Sequence, residues 1–103
     1  MKRITLYVGL NDKDKKYQVF SDIEAFKIIT NLLLVSGIDG ATVFDARGIY
    51  RHDNGAVIIE NTIRVELFEP DETALYKAIS AIKTALNQES IALSEETIVT
   101  RFI

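Results

Sequence analysis

Hydrophobic and polar residues alternate in several stretches of the chain, and each such stretch predicts a β-strand. In residues 3–8, Ile4, Leu6 and Val8 lie on one side, which predicts one buried face. Residues 40–48 form a second predicted strand. Residues 57–68 alternate most cleanly, with one predicted core row and one polar row: Ile59, Ile63, Val65 and Leu67 against Glu60, Thr62, Arg64 and Glu66. Residues 90–103 form the last predicted strand, with a bend at 94–96 and a β-rich end at 98–103.

Two stretches have helical spacing and recognisable start signals. Ser21 followed by Glu24 matches a capping box, in which each side chain accepts a hydrogen bond from the other residue's backbone, so a helix is predicted to begin there and to end at Gly37. Its apolar residues form two neighbouring rows, which predicts deep packing: Ala25, Ile28, Leu32 and Val35, then Phe26, Ile29 and Leu33. The second helix is predicted to open at Pro70 and Asp71 and to end near Asn87, with Leu75, Ile79, Ile82 and Leu86 at helical spacing.

The connections complete a familiar order. The mixed-charge run 11–16 predicts a solvated loop, and His52-Asp53-Asn54-Gly55 has the chemistry of a hairpin turn between the second and third strands. The order βαββαβ predicts an α+β, ferredoxin-like fold, a four-stranded antiparallel sheet with both helices on one face. We expect residues 1–103 to form a single ferredoxin-like domain.

Composition and charge exclude several classes of function. The net charge of -3 over 103 residues opposes nucleic-acid binding, and the absence of cysteine excludes disulfides and thiolate chemistry. The longest apolar run, 32–35, is too short for a membrane span, and no signal peptide is evident, so a cytoplasmic location is expected. His52, the only histidine, has no partner at a catalytic spacing. The sequence therefore predicts no catalytic residue, metal site or cofactor.

One face of such a sheet has no helix to cover it. Tyr7, Ile58 and Phe68 lie on the rows opposite the predicted core residues, and the C-terminal segment is apolar. Aromatic groups on an open sheet face favour self-association, so a homo-oligomer is predicted.

The segment Gly48-Ile49-Tyr50-Arg51 is the strongest candidate for ligand binding. Glycine allows close approach of a ligand to the backbone, and arginine can hold a phosphate or carboxylate with two hydrogen bonds. The alternative is that Gly48 only ends the second strand and Arg51 points into solvent.

Three segments together resemble the PII signalling proteins and their PII-like relatives: 37–43, 48–51 and 64–71. The resemblance implies ferredoxin-like trimers that bind adenine nucleotides, or another small effector, in clefts between subunits. It implies that Thr42 and Arg51 line such a cleft, that Gly48 shapes the turn, and that Arg101 adds a phosphate contact from the last strand. Tyr50 of the 48–51 segment is a further candidate ligand residue. The chain departs from the pattern at 87–90, where Asn-Gln-Glu-Ser replaces a glycine- and lysine-rich phosphate loop.

The motif 48–51, with Gly55, Glu60 and the run 88–91, is also similar to an uncharacterised family of small bacterial domains. If the chain is not PII-like, a dimer is the expected assembly. The leading functional hypothesis is an oligomeric, PII-like regulatory domain that senses a nucleotide or small anion at subunit junctions. The alternatives are a structural or protein-interaction domain without a ligand, and a small enzyme with a cleft between subunits. RNA binding on the open sheet is opposed by the acidic balance.

Overall fold

The computed structural model describes residues 1–103 and confirms the predicted α+β fold. Its elements are β1 (Lys2–Gly9), α1 (Asp22–Val35), β2 (Thr42–Arg51), β3 (Val57–Phe68), α2 (Glu72–Ala85) and β4 (Ala92–Thr97). The strands form one four-stranded antiparallel sheet in the order β2-β3-β1-β4, the order of a βαββαβ ferredoxin-like fold. Both helices pack against the same face of this sheet.

The helix starts follow local hydrogen bonding, as predicted. The Glu24 amide donates to Ser21 Oγ at 3.1 Å, and the Ser21 amide donates to Glu24 Oε1 at 3.2 Å, so the capping box is complete. At α2, Asp71 is the cap and accepts from the Ala74 amide at 2.9 Å. These bonds satisfy backbone donors that a helix start otherwise leaves unpaired.

The core lies between the helices and one face of β1 and β3. The predicted row of β1 is buried, and three of the four predicted core residues of β3 are buried with it, namely Ile63, Val65 and Leu67. Ile59 is exposed, because that part of β3 extends beyond the helices. The predicted deep packing of both rows of α1 is confirmed only in part: Ala25, Ile29 and Leu33 are buried, and Ile28 and Leu32 pack half-buried against the core. A helix with neighbours on one side buries one stripe, and Phe26, Leu34 and Val35 remain exposed.

Strand β2 is longer than predicted. It continues to Arg51, and Gly48 pairs with Glu60 inside the β2–β3 ladder, so Gly48 shapes no turn. The turn itself lies where predicted, with the His52 amide bonded to the Ala56 carbonyl at 2.8 Å and Gly55 at a φ of 88°. Since β1 pairs with β3 only from Thr62 onward, residues 47–61 form a two-stranded projection, called the arm below.

Strand β4 is shorter than the predicted strand 90–103, and no bend occurs at 94–96. Glu95 and Glu96 lie within β4 beside Lys2 and Arg3 of β1, with Arg3 Nε donating to Glu96 Oε1 at 3.1 Å. The last bond to β1 joins the Ile98 amide to the Met1 carbonyl at 2.8 Å. Beyond it, residues 98–103 form an irregular tail. Neither helix has the length and apolarity needed to cross a membrane.

Candidate functional site

A groove of about 920 Å³ lies on the open face of the sheet, bounded by the arm, the β1–α1 loop and the corner between α2 and β4. We call it the arm groove. Its lining combines aromatic rings, carboxylates, lysines and a serine hydroxyl, including Tyr7, Tyr50, His52, Glu60, Lys16 and Ser90. These side chains come from parts of the chain that are distant in sequence, and the strand register brings them to one face.

Glu60 occupies the floor of the arm groove between two glycines. It lies opposite Gly48 of β2, and Gly9 of β1 is its diagonal neighbour across the ladder. A Cβ added to Gly9 would lie 2.6 Å from Glu60 Oε1, so the carboxylate occupies the space that a side chain at Gly9 would fill. Glu60 Oε2 accepts a hydrogen bond from the Asn11 amide at 3.1 Å. Gly9 therefore allows a carboxylate to lie flat against the sheet.

The rim of the groove is held by Asp12. Its Oδ1 accepts from the amides of Asp14 and Lys15 and from Asn87 Nδ2, each at 2.9 Å. The hydrogen bond from Lys15 is the main reason that the pKa of the Asp12 carboxyl lies below its usual value, with Asp14 and Asn87 adding to the effect. Gln88, buried beside it, donates to the Asn11 carbonyl at 2.7 Å. These bonds join the β1–α1 loop to the α2–β4 corner as one rim.

The aromatic wall of the groove is exposed. The rings of Tyr50 and His52 meet edge to face with their centroids 5.2 Å apart, and Tyr50 is 44% exposed. Tyr7, on the opposite side of the groove, is 42% exposed. A flat ligand could stack on such rings, which bury a large apolar area and retain a polar edge.

The structure distributes the five predicted ligand residues over different surfaces. Tyr50 lines the arm groove, and Gly48 forms part of the strand beside it. Thr42 and Arg51 are at opposite ends of β2, roughly 30 Å apart at 3.3 Å per residue, so they cannot line one cleft within one chain. Arg51 donates to the Gly55 carbonyl at 3.3 Å, and Arg101 is exposed in the tail rather than on a strand. Their role in ligand binding stays a prediction.

Sequence reasoning missed Gly9, Asn11, Asp12 and Lys16 as groove residues. Their segment has only the composition of a surface loop, and nothing in it indicates that it faces the arm. The sequence did contain another indication of the groove. The motif shared with the uncharacterised bacterial family includes Tyr50, Glu60 and the run 88–90, all of which line the groove.

A second cluster of aromatic groups lies on the open face away from the arm. The Arg64 guanidinium lies over the Phe44 ring, 5.1 Å from its centroid, and Phe68 meets Phe102 of the tail edge to face at 6.5 Å. We call Phe44, Phe68 and Phe102 the open-face cluster. All three are exposed.

The model of one protein family matches residues 3–102, nearly the whole chain. The chain belongs to the DUF3574 family. The family is described as proteins of unknown function, so membership agrees with the resemblance to an uncharacterised family and brings no activity. No curated protein sequence matches this DUF3574 chain.

Solved structures show what the DUF3574 fold is similar to. A phage SAM lyase without ligand has a TM-score of 0.66 at 17% identity, over 92% of this chain and 78% of the lyase. CutA from Synechococcus elongatus has a TM-score of 0.60 at 10% identity, over 95% and 76% of the two chains. The GlnK–ATP complex of B. subtilis has a TM-score of 0.58 at 11% identity, over 93% and 84%. The PII-type fold predicted from the residues is confirmed.

Proposed function

We propose that this DUF3574 protein is a cytoplasmic, homo-oligomeric, PII-like regulatory domain that binds a small nucleoside-type ligand in the arm groove. The observation that supports this most directly is the groove itself, in which exposed rings stand beside a carboxylate held flat on the sheet. Binding sites for small molecules typically combine apolar and aromatic walls with a few fixed polar groups.

The chemistry of the groove suits an aromatic heterocycle that carries an amino group. The ring stacks on Tyr50, and the amino group donates to the free oxygen of Glu60, which has one oxygen engaged by Asn11. Lys13 and Lys16 at the rim can bind a single anionic group of the ligand. Asp53 and Glu89 at the same rim oppose a polyphosphate by charge repulsion. The expected ligand is thus a nucleoside or nucleoside monophosphate.

Two proteins of the same fold support this choice of ligand class. The phage SAM lyase has been solved with S-methyl-5′-thioadenosine, and GlnK has been solved with ATP. Both ligands contain adenosine.

Thermal unfolding in the presence of adenosine, AMP, ATP and S-methyl-5′-thioadenosine tests the proposal. A ligand that binds only the folded protein stabilises it by about 2.7 kcal/mol at a hundred times its Kd. We expect Tyr50→Ala and Glu60→Gln to remove the shift, and Tyr76→Ala, at an exposed tyrosine on α2, to keep it. No shift with any of these compounds would reject the proposal.

Arg51→Ala separates two versions of the site. The PII resemblance places the ligand at a subunit junction, where Arg51 would come from a neighbouring chain and its loss would abolish the shift. A site complete within one chain keeps the shift, since Arg51 does not line the arm groove.

The homo-oligomer is part of the proposal, with a trimer expected from the PII resemblance. The open-face cluster supports it, because three exposed phenylalanines on an uncovered sheet favour burial against another copy. Size-exclusion chromatography with light scattering should show an oligomer that Phe68→Glu or Phe102→Glu weakens. A monomer at working concentration would contradict this part.

The same cluster also favours the alternative of an interaction domain without a ligand. That reading predicts an assembly sensitive to Phe68→Glu together with no thermal shift from any compound. The two measurements on the same samples distinguish the functions.

A further inference from the structure

The arm carries an apolar stripe on the side opposite the arm groove. Ile49, Val57 and Ile59 form it, with exposures of 72%, 48% and 67%. Ile49 and Ile59 are direct partners in the β2–β3 ladder, and Val57 follows on the same face. The stripe faces the same side as the helices but lies beyond their reach, so nothing within the chain covers it. Large aliphatic side chains at this exposure indicate a surface that another group buries.

Two arginines flank the stripe. Arg47 and Arg51 lie on the same face of β2 as Ile49, and neither forms an ion pair with a carboxylate. The arm therefore presents an apolar strip between two unpaired positive charges.

A surface of matching character lies at the other end of β2. A groove of about 470 Å³ runs between α1 and the start of β2, with an apolar lining that includes Phe26, Leu34, Ile38 and Val43. We call it the α1 groove. Asp39 lies at its rim, and Asp45 follows Val43 on the same face of β2. Neither aspartate forms an ion pair.

We infer that the apolar stripe of one copy docks into the α1 groove of a second copy, with its arginines facing Asp39 at the rim of that groove and Asp45 next to it on β2. The stripe cannot reach the groove of its own chain, because Thr42 and Ile49 are seven residues apart on one straight strand, roughly 23 Å. The contact joins two different patches, so it is heterologous and closes into a ring when the rotation between copies permits. The inference rests on the homo-oligomer of the proposed function and adds a contact on the helix side of the sheet, separate from the open-face cluster.

Such a contact also gives the two separated site residues a common location. Thr42 lines the α1 groove, and Arg51 flanks the stripe that enters it. Docking places Arg51 near Thr42 of the partner subunit, which is the arrangement at a subunit junction that the PII resemblance implied.

Disulfide cross-linking tests the contact directly, since the chain has no cysteine of its own. A variant with Ile59→Cys and Leu34→Cys is expected to form covalent dimers and higher species under mild oxidation, resolved on a non-reducing gel. The matched control combines Ile59→Cys with Tyr76→Cys on the outer surface of α2 and should remain uncross-linked. If Ile59→Cys alone forms cross-links, two stripes contact each other and the inference is overturned. The absence of cross-links in the Ile59→Cys, Leu34→Cys variant would also overturn it.

Charge and size measurements provide an independent readout. Ile59→Glu should shift the assembly toward the monomer by light scattering, whereas Tyr76→Glu should leave it intact. Reversing both arginines, Arg47→Asp with Arg51→Asp, should weaken assembly, and adding Asp39→Arg with Asp45→Arg should restore it. Assembly that Ile59→Glu does not change, or that the added reversals do not restore, would reject the contact.

The thermal shift with nucleosides separates this inference from the proposed function. If a nucleoside still raises the unfolding temperature but the arm variants leave the oligomeric state unchanged, only the docking contact is rejected. If the arm variants weaken assembly but no compound raises the unfolding temperature, only the proposed ligand binding is rejected.

Discussion

Replacing Gly9 by alanine places a methyl group where the Glu60 carboxylate lies. The new Cβ would be 2.6 Å from Oε1 and 2.9 Å from Oε2. Ordinary contacts are near 3.5 Å, so the carboxylate must move by about 1 Å. Its hydrogen bond from the Asn11 amide, 3.1 Å long, does not survive that displacement.

The size of the effect follows from two opposing terms. A hydrogen bond to a charged group contributes about 1.5–3 kcal/mol, and the lower end applies because Glu60 is only half-buried and water can replace the lost donor. Alanine in place of glycine at a compatible backbone stabilises by about 0.5 kcal/mol through the unfolded chain. Gly9→Ala should therefore lower the free energy of unfolding by about 1 kcal/mol, the difference of these terms.

A double-mutant cycle with Glu60→Ala gives the decisive measurement. Without the carboxylate the methyl group meets no obstacle, so Gly9→Ala should become stabilising by about 0.5 kcal/mol, a coupling of about 1.5 kcal/mol between the two sites. Urea unfolding followed by circular dichroism measures all four proteins. Gly40→Ala, whose Cβ meets nothing within 4 Å, is the control and should show no coupling to Glu60. If Gly9→Ala has the same effect with and without Glu60, the assignment of Gly9 as space for the carboxylate is wrong.

Three further predictions concern the fold and the groove rim. Ser21→Ala should lower stability by about 1 kcal/mol in urea unfolding through loss of the capping box, and adding Glu24→Ala should cost less than the two changes summed. Leu6→Ala should lower stability by about 2–5 kcal/mol because Leu6 is fully buried, while Tyr76→Ala, at an exposed position, should change it little. The lowered pKa of Asp12 contributes stability above the usual value of 3.8 that is lost as the pH falls through the lower folded value. The stability difference between wild type and Asp12→Asn should thus be constant near neutral pH and shrink below pH 3.8, and a difference that grows there would contradict it.

Local signals in the sequence predicted the elements whose ends depend on neighbouring residues. The Ser21 capping box and the turn before Gly55 rest on hydrogen bonds within a few residues, and both agree with the structure. The alternation of 57–68 also predicted the bounds of β3. The βαββαβ order followed from these elements, and the handedness of crossovers then left one topology.

Other boundaries are determined by a partner that is remote in sequence. Strand β2 extends past Gly48 because β3 continues to pair with it, and β4 covers only Ala92–Thr97, the residues that pair with β1. The same holds for the exposure of Ile59, whose alternation is correct but whose part of β3 lies beyond the helices. Alternation reports which face a residue occupies, not whether anything covers that face.

The sequence by itself determined the elements, their order and the face of each strand, because these depend on side-chain periodicity and local hydrogen bonds. Only the tertiary structure decided that Glu60 lies between Gly9 and Gly48, that a loop from residue 10 onward meets the 87–90 corner, and that Thr42 and Arg51 stand at opposite ends of one strand. Those facts depend on strand register and on contacts between segments up to 77 residues apart. Such contacts leave no periodic trace in the chain, so the groove became visible only when the sheet was assembled.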